Sequence, residues 1–396
     1  MNPLRLAIVN LLHDAKRTAI SVIGAAFAVV LVFMQLGFLG SVENTATLLF
    51  DKLQFDLILI SSEYIDMSRP GQFDRTRLAQ LRSASGVRDV QALSMGGGLW
   101  RNPTDDPVKG KRKWQISIIG VEPSALPKVF RPPGAGGIFA DADDLAQQQM
   151  ALGRLDTMLL DGMSRPDFGE ADKMPRGTIS EFNGQAVELA GYFRAGTGFS
   201  YTGLLLTSEE TFAKYTGKSQ RNVTMGLITL EPGQNLEAAA ARVRAVLPAD
   251  VRVFTREQMA EYERNYWVKR TAVGQFFYFG VLLAMLVGSI FIYQMMVADI
   301  KKHLPEYATL KAMGYKFSFL FWLVASQALV LAVFGYAIGL VAALGLYEVT
   351  KAAARLPIWM TWDRMAVVFI LTVGMCVGSG LLAVRKVRNA DPASLF

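Results

Sequence analysis

Four stretches of this chain contain no Asp, Glu, Lys or Arg, and their spacing restricts the fold more than any motif does. They run over 18–42, 271–298, 317–347 and 365–384, and they are 25, 28, 31 and 20 residues long. A helix needs about 20 apolar residues to cross roughly 30 Å of hydrocarbon. Each stretch is therefore predicted to span a membrane. Between the first and second lie 228 residues, Glu43 to Arg270, whereas the other two connections are short. The expected fold class is an α-helical membrane protein with four transmembrane helices in a 1+3 layout, plus a large α+β extracytoplasmic domain of two lobes.

The first stretch is longer than the apolar region of a signal peptide and has no A-x-A-like site near Ser41, so it reads as a retained anchor. Orientation follows from Lys and Arg near the spans. The N-terminal arm, the connection 299–316 and the tail carry ten, against three (Lys351, Arg355, Arg364) in the connection 348–364. Both termini are expected in the cytoplasm. The formal net charge is +7, yet Glu43–Arg270 holds 28 basic and 28 acidic residues. The excess flanks the membrane, where it suits anionic lipid headgroups rather than nucleic acid. The single cysteine, Cys376, lies inside the fourth span. The large domain must therefore hold itself together by its own core.

Helical spacing of Leu4, Ile8, Leu11, Leu12 and Ala15 predicts an interfacial helix over 1–17. In the large domain, 55–61, 87–93 and 114–121 read as strands and 74–83 as a helix. The order repeats near the end, with strands over 223–230 and 251–254 around a helix over 236–247. Two β-α-β units would build one small sheet with helices on one face, and 122–221 would be an inserted lobe. Residues 256–270 read as a stalk helix running straight into the second span, since no Gly or Pro lies between Glu257 and Lys269. The first helix is expected to continue through Glu43–Lys52 as its partner.

No enzyme site emerges. His13 and His303 lie on separate segments without a companion ligand, so no metal site is expected. Gly217-Lys218-Ser219 ends like a phosphate-binding loop, but Phe212 stands where that motif needs glycine. Gly96-Gly97-Gly98 reads as a loop after a strand. Without intramembrane ionisable residues the chain does not resemble a proton-driven carrier. Gly335 and Gly339 form a G-x-x-x-G in the third span, a spacing that permits close helix packing.

The cytoplasmic loop 299–316 carries the functional candidates. Pro305 suits a first helical turn and Gly314 the residue after a helix end. Between them, Glu306–Met313 would form two turns parallel to the membrane, with Leu310 and Met313 on one face and Tyr307 beside them. Such a helix serves either to dock a partner or to seal against the bilayer.

The layout, together with Glu306-Tyr-Ala-Thr-Leu-Lys-Ala-Met-Gly-Tyr315 and the ending Asp391-Pro-Ala-Ser-Leu395, resembles the FtsX-like/MacB-type permeases of ABC transporters. Within that family it looks most like the DevC subgroup. The N-terminal Pro3-Leu4 and Lys16-Arg17-Thr18 also fit. The resemblance implies a non-catalytic, mechanotransmitting homodimer in a bacterial inner membrane, with its large domain in the periplasm. It implies two ABC ATPase partner subunits that bind ATP and Mg, so this chain itself needs no cofactor. Pro305, Glu306, Tyr307, Leu310, Lys311, Met313 and Gly314 would then couple the chain to its ATPase. A membrane-fusion adaptor and a TolC-like outer-membrane channel would carry substrate outward. Lipoprotein or lipid extraction, regulation of a cell-wall hydrolase in the manner of FtsX, and ligand sensing stand as alternatives.

Overall fold

The structure is a computed structural model that describes residues 15–104, 112–171, 173–302, 317–354 and 356–388. In chain order it opens with helices α1 (Ala15–Ala46) and α2 (Leu48–Lys52), strands β1 (Leu57–Ser61) and β2 (Phe73–Asp74), and helix α3 (Thr76–Arg82). Strands β3 (Val87–Arg101) and β4 (Lys113–Val121) follow, then helices α4 (Leu126–Val129) and α5 (Ala142–Leu152). Next come strands β5 (Thr157–Asp161), β6 (Thr178–Phe182), β7 (Gln185–Phe193) and β8 (Leu204–Ser208), and helix α6 (Glu209–Thr216). Strands β9 (Asn222–Val223) and β10 (Met225–Leu230), helix α7 (Leu236–Val246), strand β11 (Val251–Thr255) and helix α8 (Arg256–Asn265) complete the large domain. A π-helical turn (Tyr266–Arg270) precedes the long helices α9 (Ala272–Lys302), α10 (Phe317–Ala354) and α11 (Trp362–Arg388).

The chain divides into two compact units. One holds α1 up to Ser41 with α9, α10 to Ala353 and α11; the other holds Val42–Thr271 and Ala354–Pro357. Among the described residues, four helices are long and apolar enough to cross a membrane: Thr18–Ala46, Ala272–Lys302, Phe321–Ala353 and Trp362–Arg385. The charge-free windows lie within or across these helices. In the spanning unit, Ala25, Ala28, Ile292, Met296, Val324, Ala328, Met375 and Cys376 share one buried cluster. Phe276, Phe279, Leu282 and Leu283 on α9 are largely exposed. Exposed apolar side chains on such a helix suit contact with lipid tails.

Among the described residues of the large domain, nine strands form one sheet in the order β11-β1-β10-β3-β4-β8-β5-β7-β6. In the first half, β1 lies antiparallel between β10 and β11, with Leu57 opposite both Ile228 and Thr255. Side chains alternate between faces, as the strand period of two requires. Leu57, Leu59, Val90, Ile228 and Val253 pack beneath α3 and α7 through Leu78, Leu81, Ala240 and Val243. Ile58, Ile60, Leu93 and Leu227 face the other way, against Leu49 and Phe50 of α2 and Met259 of α8. Helices therefore cover both faces rather than the single face expected, because both faces of these strands are apolar.

Strand β3 is 15 residues long and belongs to both halves. Residues 87–93 pair with β10, and residues 94–101 pair with β4. The second half closes on itself: the pairings run β3–β4–β8–β5–β7–β6, and Trp100 of β3 lies opposite Phe182 of β6. The second lobe, expected over 122–221, thus begins earlier, at the far end of β3. One core cluster joins Ile58 and Leu227 of the first half to Ile119, Leu159 and Leu206 of the second. The glycines at 96–98, expected in a loop, lie inside β3. A Cβ on Gly98 would collide with the Phe182 ring, and one on Gly96 would stand 3.3 Å from Phe212 Cζ. Aromatic packing against the strand explains glycine there. Gly217 closes α6 with φ 70°, the left-handed conformation of a helix C-cap, and is no part of a phosphate cradle.

Two expected continuous helices are interrupted. α1 bends at Thr47 before α2 begins. The stalk expected to run unbroken from 256 to 270 passes from α8 into the π-turn and ends at Thr271, which is extended (φ −94°, ψ 156°). The Thr271 amide bonds back to the Tyr266 carbonyl, and its hydroxyl donates to the Trp267 carbonyl at 2.6 Å. These bonds satisfy carbonyls that a further helical turn would otherwise need, so no Gly or Pro is required for the break.

Candidate functional site

Pro305, Glu306, Tyr307, Leu310, Lys311, Met313 and Gly314 lie outside the described residues, as do His13, His303 and the whole of 1–14. The flanking helices are described: α9 ends at Lys302 and α10 begins at Phe317. Among the described residues, no group of three or more His, Cys, Asp or Glu is placed to hold a metal ion.

Gly335 and Gly339 face α1 within the spanning unit. A Cβ on Gly335 would stand 2.6 Å from Ala25 Cβ. One on Gly339 would stand 2.6 Å from Val29 Cγ1 and 2.9 Å from the Ala26 carbonyl oxygen. Two turns further along the same pair of helices, the Tyr347 hydroxyl donates to the Phe33 carbonyl at 2.5 Å. Small residues let two backbones approach closely, and the tyrosine pins the register of α10 against α1.

The large domain has one end where both of its leads meet. β1 follows α2 after a short link, and β11 runs directly into α8; Leu57 and Thr255, at those two ends, are partners in the ladder. Arg256, the first residue of α8, fastens the two leads together. Its guanidinium donates to the carbonyls of Phe50, Leu53 and Phe55 at 2.6, 2.9 and 2.9 Å. It also lies over the Phe55 ring, 4.0 Å from the centroid. The last carbonyls of a helix have no partner within it and carry partial negative charge. A cation at the end of α2 satisfies both demands. α8 itself is fixed by a capping box of Thr255 and Gln258. Sequence reading missed Arg256, because its partners lie some 200 residues away and no periodicity links them.

A second cluster sits further along α8. Glu263 is fully buried, on the same face as Met259. The Tyr64 hydroxyl hydrogen-bonds one of its carboxylate oxygens. Burial, helped by the nearby Asp66 charge, pushes the Glu263 carboxyl up to about 8, against the lowering pull of that hydrogen bond and of the Trp267 indole. Burial, reinforced by the neighbouring Glu263, also raises the Tyr64 hydroxyl well above its ordinary value. Asp66, nearby, goes the other way. Burial would raise it, but hydrogen bonds from Ser68 and Arg69 outweigh burial and hold it below the ordinary carboxylate value. Arg69 pairs with Asp66 at 2.8 Å and with the Tyr266 hydroxyl. Glu257, Glu261 and Arg264 of the same helix are exposed. The informative one was Glu263, whose spacing of four from Met259 puts a carboxylate on the apolar stripe.

The family model described as a MacB-like periplasmic core domain matches residues 18–246. The model described as an FtsX-like permease C-terminal region matches residues 278–392. An uncharacterized ABC transporter permease protein of Mycobacterium tuberculosis is 31% identical over 116 residues, which cover 28% of this chain and 13% of that protein. The chain therefore aligns with only about an eighth of that relative. Among solved structures, the periplasmic region of MacB from Actinobacillus actinomycetemcomitans matches with TM-score 0.39 and 10% identity, covering 55% of this chain and 96% of that one. The extracellular domain of the noncanonic ABC-type transporter YknZ from Gram-positive bacteria matches with TM-score 0.34 and 14% identity, covering 50% of this chain and 99% of that one.

Proposed function

The chain belongs to the FtsX-like permeases with a MacB-like periplasmic core domain, and from that membership we propose that it is the membrane subunit of an ABC exporter. The observation that carries the reading is the order of parts. One apolar helix, a domain of about 230 residues and three further apolar helices coincide with the two family regions in sequence order.

In this reading the chain is non-catalytic and works as a homodimer with two ATPase subunits that bind ATP and Mg. Its termini are cytoplasmic and its large domain periplasmic. Glu306–Gly314, with Pro305 as first turn, sits against the ATPase, with Tyr307, Leu310 and Met313 as the apolar contact and Glu306 and Lys311 as the polar one. The ATPase must grip this loop differently in its two nucleotide states, since equal affinity for both would shift nothing. The movement reaches the large domain through α2 and α8. Both feed the β1–β11 edge of the sheet, and Arg256 makes them move together. A membrane-fusion adaptor and a TolC-like outer-membrane channel, as in a DevC-like system, would then take substrate away from the periplasm.

The test is ATPase stimulation by the permease in nanodiscs. Glu306→Ala and Met313→Asp are expected to abolish stimulation while leaving expression and thermal unfolding unchanged. Full stimulation by both variants would remove the coupling role from this loop.

A further inference from the structure

Glu263 has a carboxylate oxygen with nothing to bind. The Tyr64 hydroxyl holds Oε1, but Oε2 is buried without a hydrogen-bond partner. Four residues on, the Trp267 indole N–H is also buried without a partner. An acceptor and a donor, each paying to be out of water, stand on the same stretch of chain. In a regular α-helix, side chains four apart lie one above the other. Here the chain passes into the π-turn of Tyr266–Arg270, and the indole lies close enough to favour the carboxylate without completing a hydrogen bond to it.

The described charged and titratable groups around the carboxyl have other partners. From the segment after β1, Asp66 is held by Ser68 and Arg69. From β11, Arg252 donates to the Tyr64 carbonyl at 2.7 Å and lies over the Tyr262 and Phe254 rings. On α8, the Tyr262 hydroxyl donates to the Tyr64 carbonyl, and at the start of the π-turn Tyr266 bonds Arg69. Neither arginine forms an ion pair with Glu263. Among the described residues no cation is ion-paired with Glu263; the Trp267 indole is a donor that favours its anion, while the Arg252 Nε–H is buried without a partner.

We propose that Glu263 is a proton-operated latch on the lead that joins the large domain to the second span. Protonated, the carboxyl is neutral and rests against Tyr64, and the π-turn persists. When the proton passes to water, the anion draws the Trp267 N–H onto Oε2 and the turn tightens toward an α-helix. Single π-helical turns are found frequently at functional sites, and this one lies between α8 and the extended Thr271. The device needs no ATPase, so it stands or falls apart from the export reading.

The test uses the full chain in nanodiscs with 5-fluorotryptophan at its 6 tryptophans, followed by fluorine NMR from about pH 6 to about pH 9.5, the range in which a carboxyl displaced this far titrates. The Trp267 resonance is identified by its loss in Trp267→Phe. It is expected to move along a one-proton curve with its midpoint near 8, and to stay fixed in Glu263→Gln. Tyr64→Phe removes the hydroxyl that favours the anion, so its midpoint is expected to rise. A Trp267 resonance that does not move in the native chain overturns the proposal. So does one that moves equally in Glu263→Gln, or a midpoint that falls in Tyr64→Phe.

Discussion

Replacing Arg256 with methionine removes the guanidinium but keeps most of the side chain's length. The structure sets the scale. Three carbonyls lose a charged donor at 2.6, 2.9 and 2.9 Å, and a hydrogen bond to a charged group contributes about 1.5–3 kcal/mol. The ring contact with Phe55 adds about 0.5–2 kcal/mol, and the cation at the end of α2 about 0.3–1 kcal/mol. These terms are not additive. The guanidinium is only half-buried, and water can reach part of what it leaves. About 3 kcal/mol is the resulting expectation, concentrated where α2 joins β1. Hydrogen exchange followed by mass spectrometry on the peptide 48–57 reads this directly, because local opening tracks local free energy. A loss of about 3 kcal/mol corresponds to exchange roughly 100-fold faster. Strands far from the clamp, such as β7, are expected to exchange at their native rate. Arg256→Lys keeps the charge but not the fork, and is expected to fall between the two. If Arg256→Met leaves 48–57 within about threefold of the native rate, the arginine does not tie the two leads together.

Further outcomes follow from other sites. The Glu263 carboxyl binds its proton more tightly in the folded domain, near 8, than at its ordinary value of 4.5. Its stabilising contribution is therefore complete below about 4.5 and is lost as pH rises through 8. Glu263→Gln should flatten that dependence and leave the variant more stable than the native chain above pH 8 by a few kcal/mol, as read by thermal unfolding across pH; identical pH dependence in both would refute the buried-acid assignment. In the spans, Gly339→Leu should cost about 1–3 kcal/mol by overpacking against Val29. Gly345→Ala, where nothing lies within 4 Å of a Cβ, should be neutral in the same thermal assay. Equal tolerance at both would mean that α10 does not rely on this approach to α1.

The spans were legible because charge is excluded from hydrocarbon over whole windows, a signal that tertiary context cannot mask. The strands at 55–61, 114–121 and 223–230 were legible for a related reason, since each is a run of apolar residues bounded by turns. What sequence could not reveal is pairing. β3 reads as a strand that stops at Leu93, because Gly96–Gly98 break its pattern. Only the rings of Phe182 and Phe212, more than 80 residues on, show that those glycines make room rather than a turn. The break at Thr271 was hidden because it arises from a π-turn and two backbone-directed bonds, not from a helix-breaking residue. At the candidate site the same division holds. The G-x-x-x-G spacing pointed to Gly335 and Gly339, but neither Arg256 nor Glu263 stood out. The first acts on distant carbonyls, and the second differs from its exposed neighbours Glu257 and Glu261 only in which side of one helix it occupies.

The claim that this chain serves as the membrane subunit of an ABC system is tested most directly by capture. Tagged native protein and its Met313→Asp variant would be purified from detergent-solubilised native membranes, and the companions identified by mass spectrometry. The account predicts an ABC ATPase in amounts comparable to the native protein, together with a membrane-fusion adaptor, and loss of the ATPase alone from the variant. A native sample that retains no ATPase under conditions preserving other membrane complexes would contradict it.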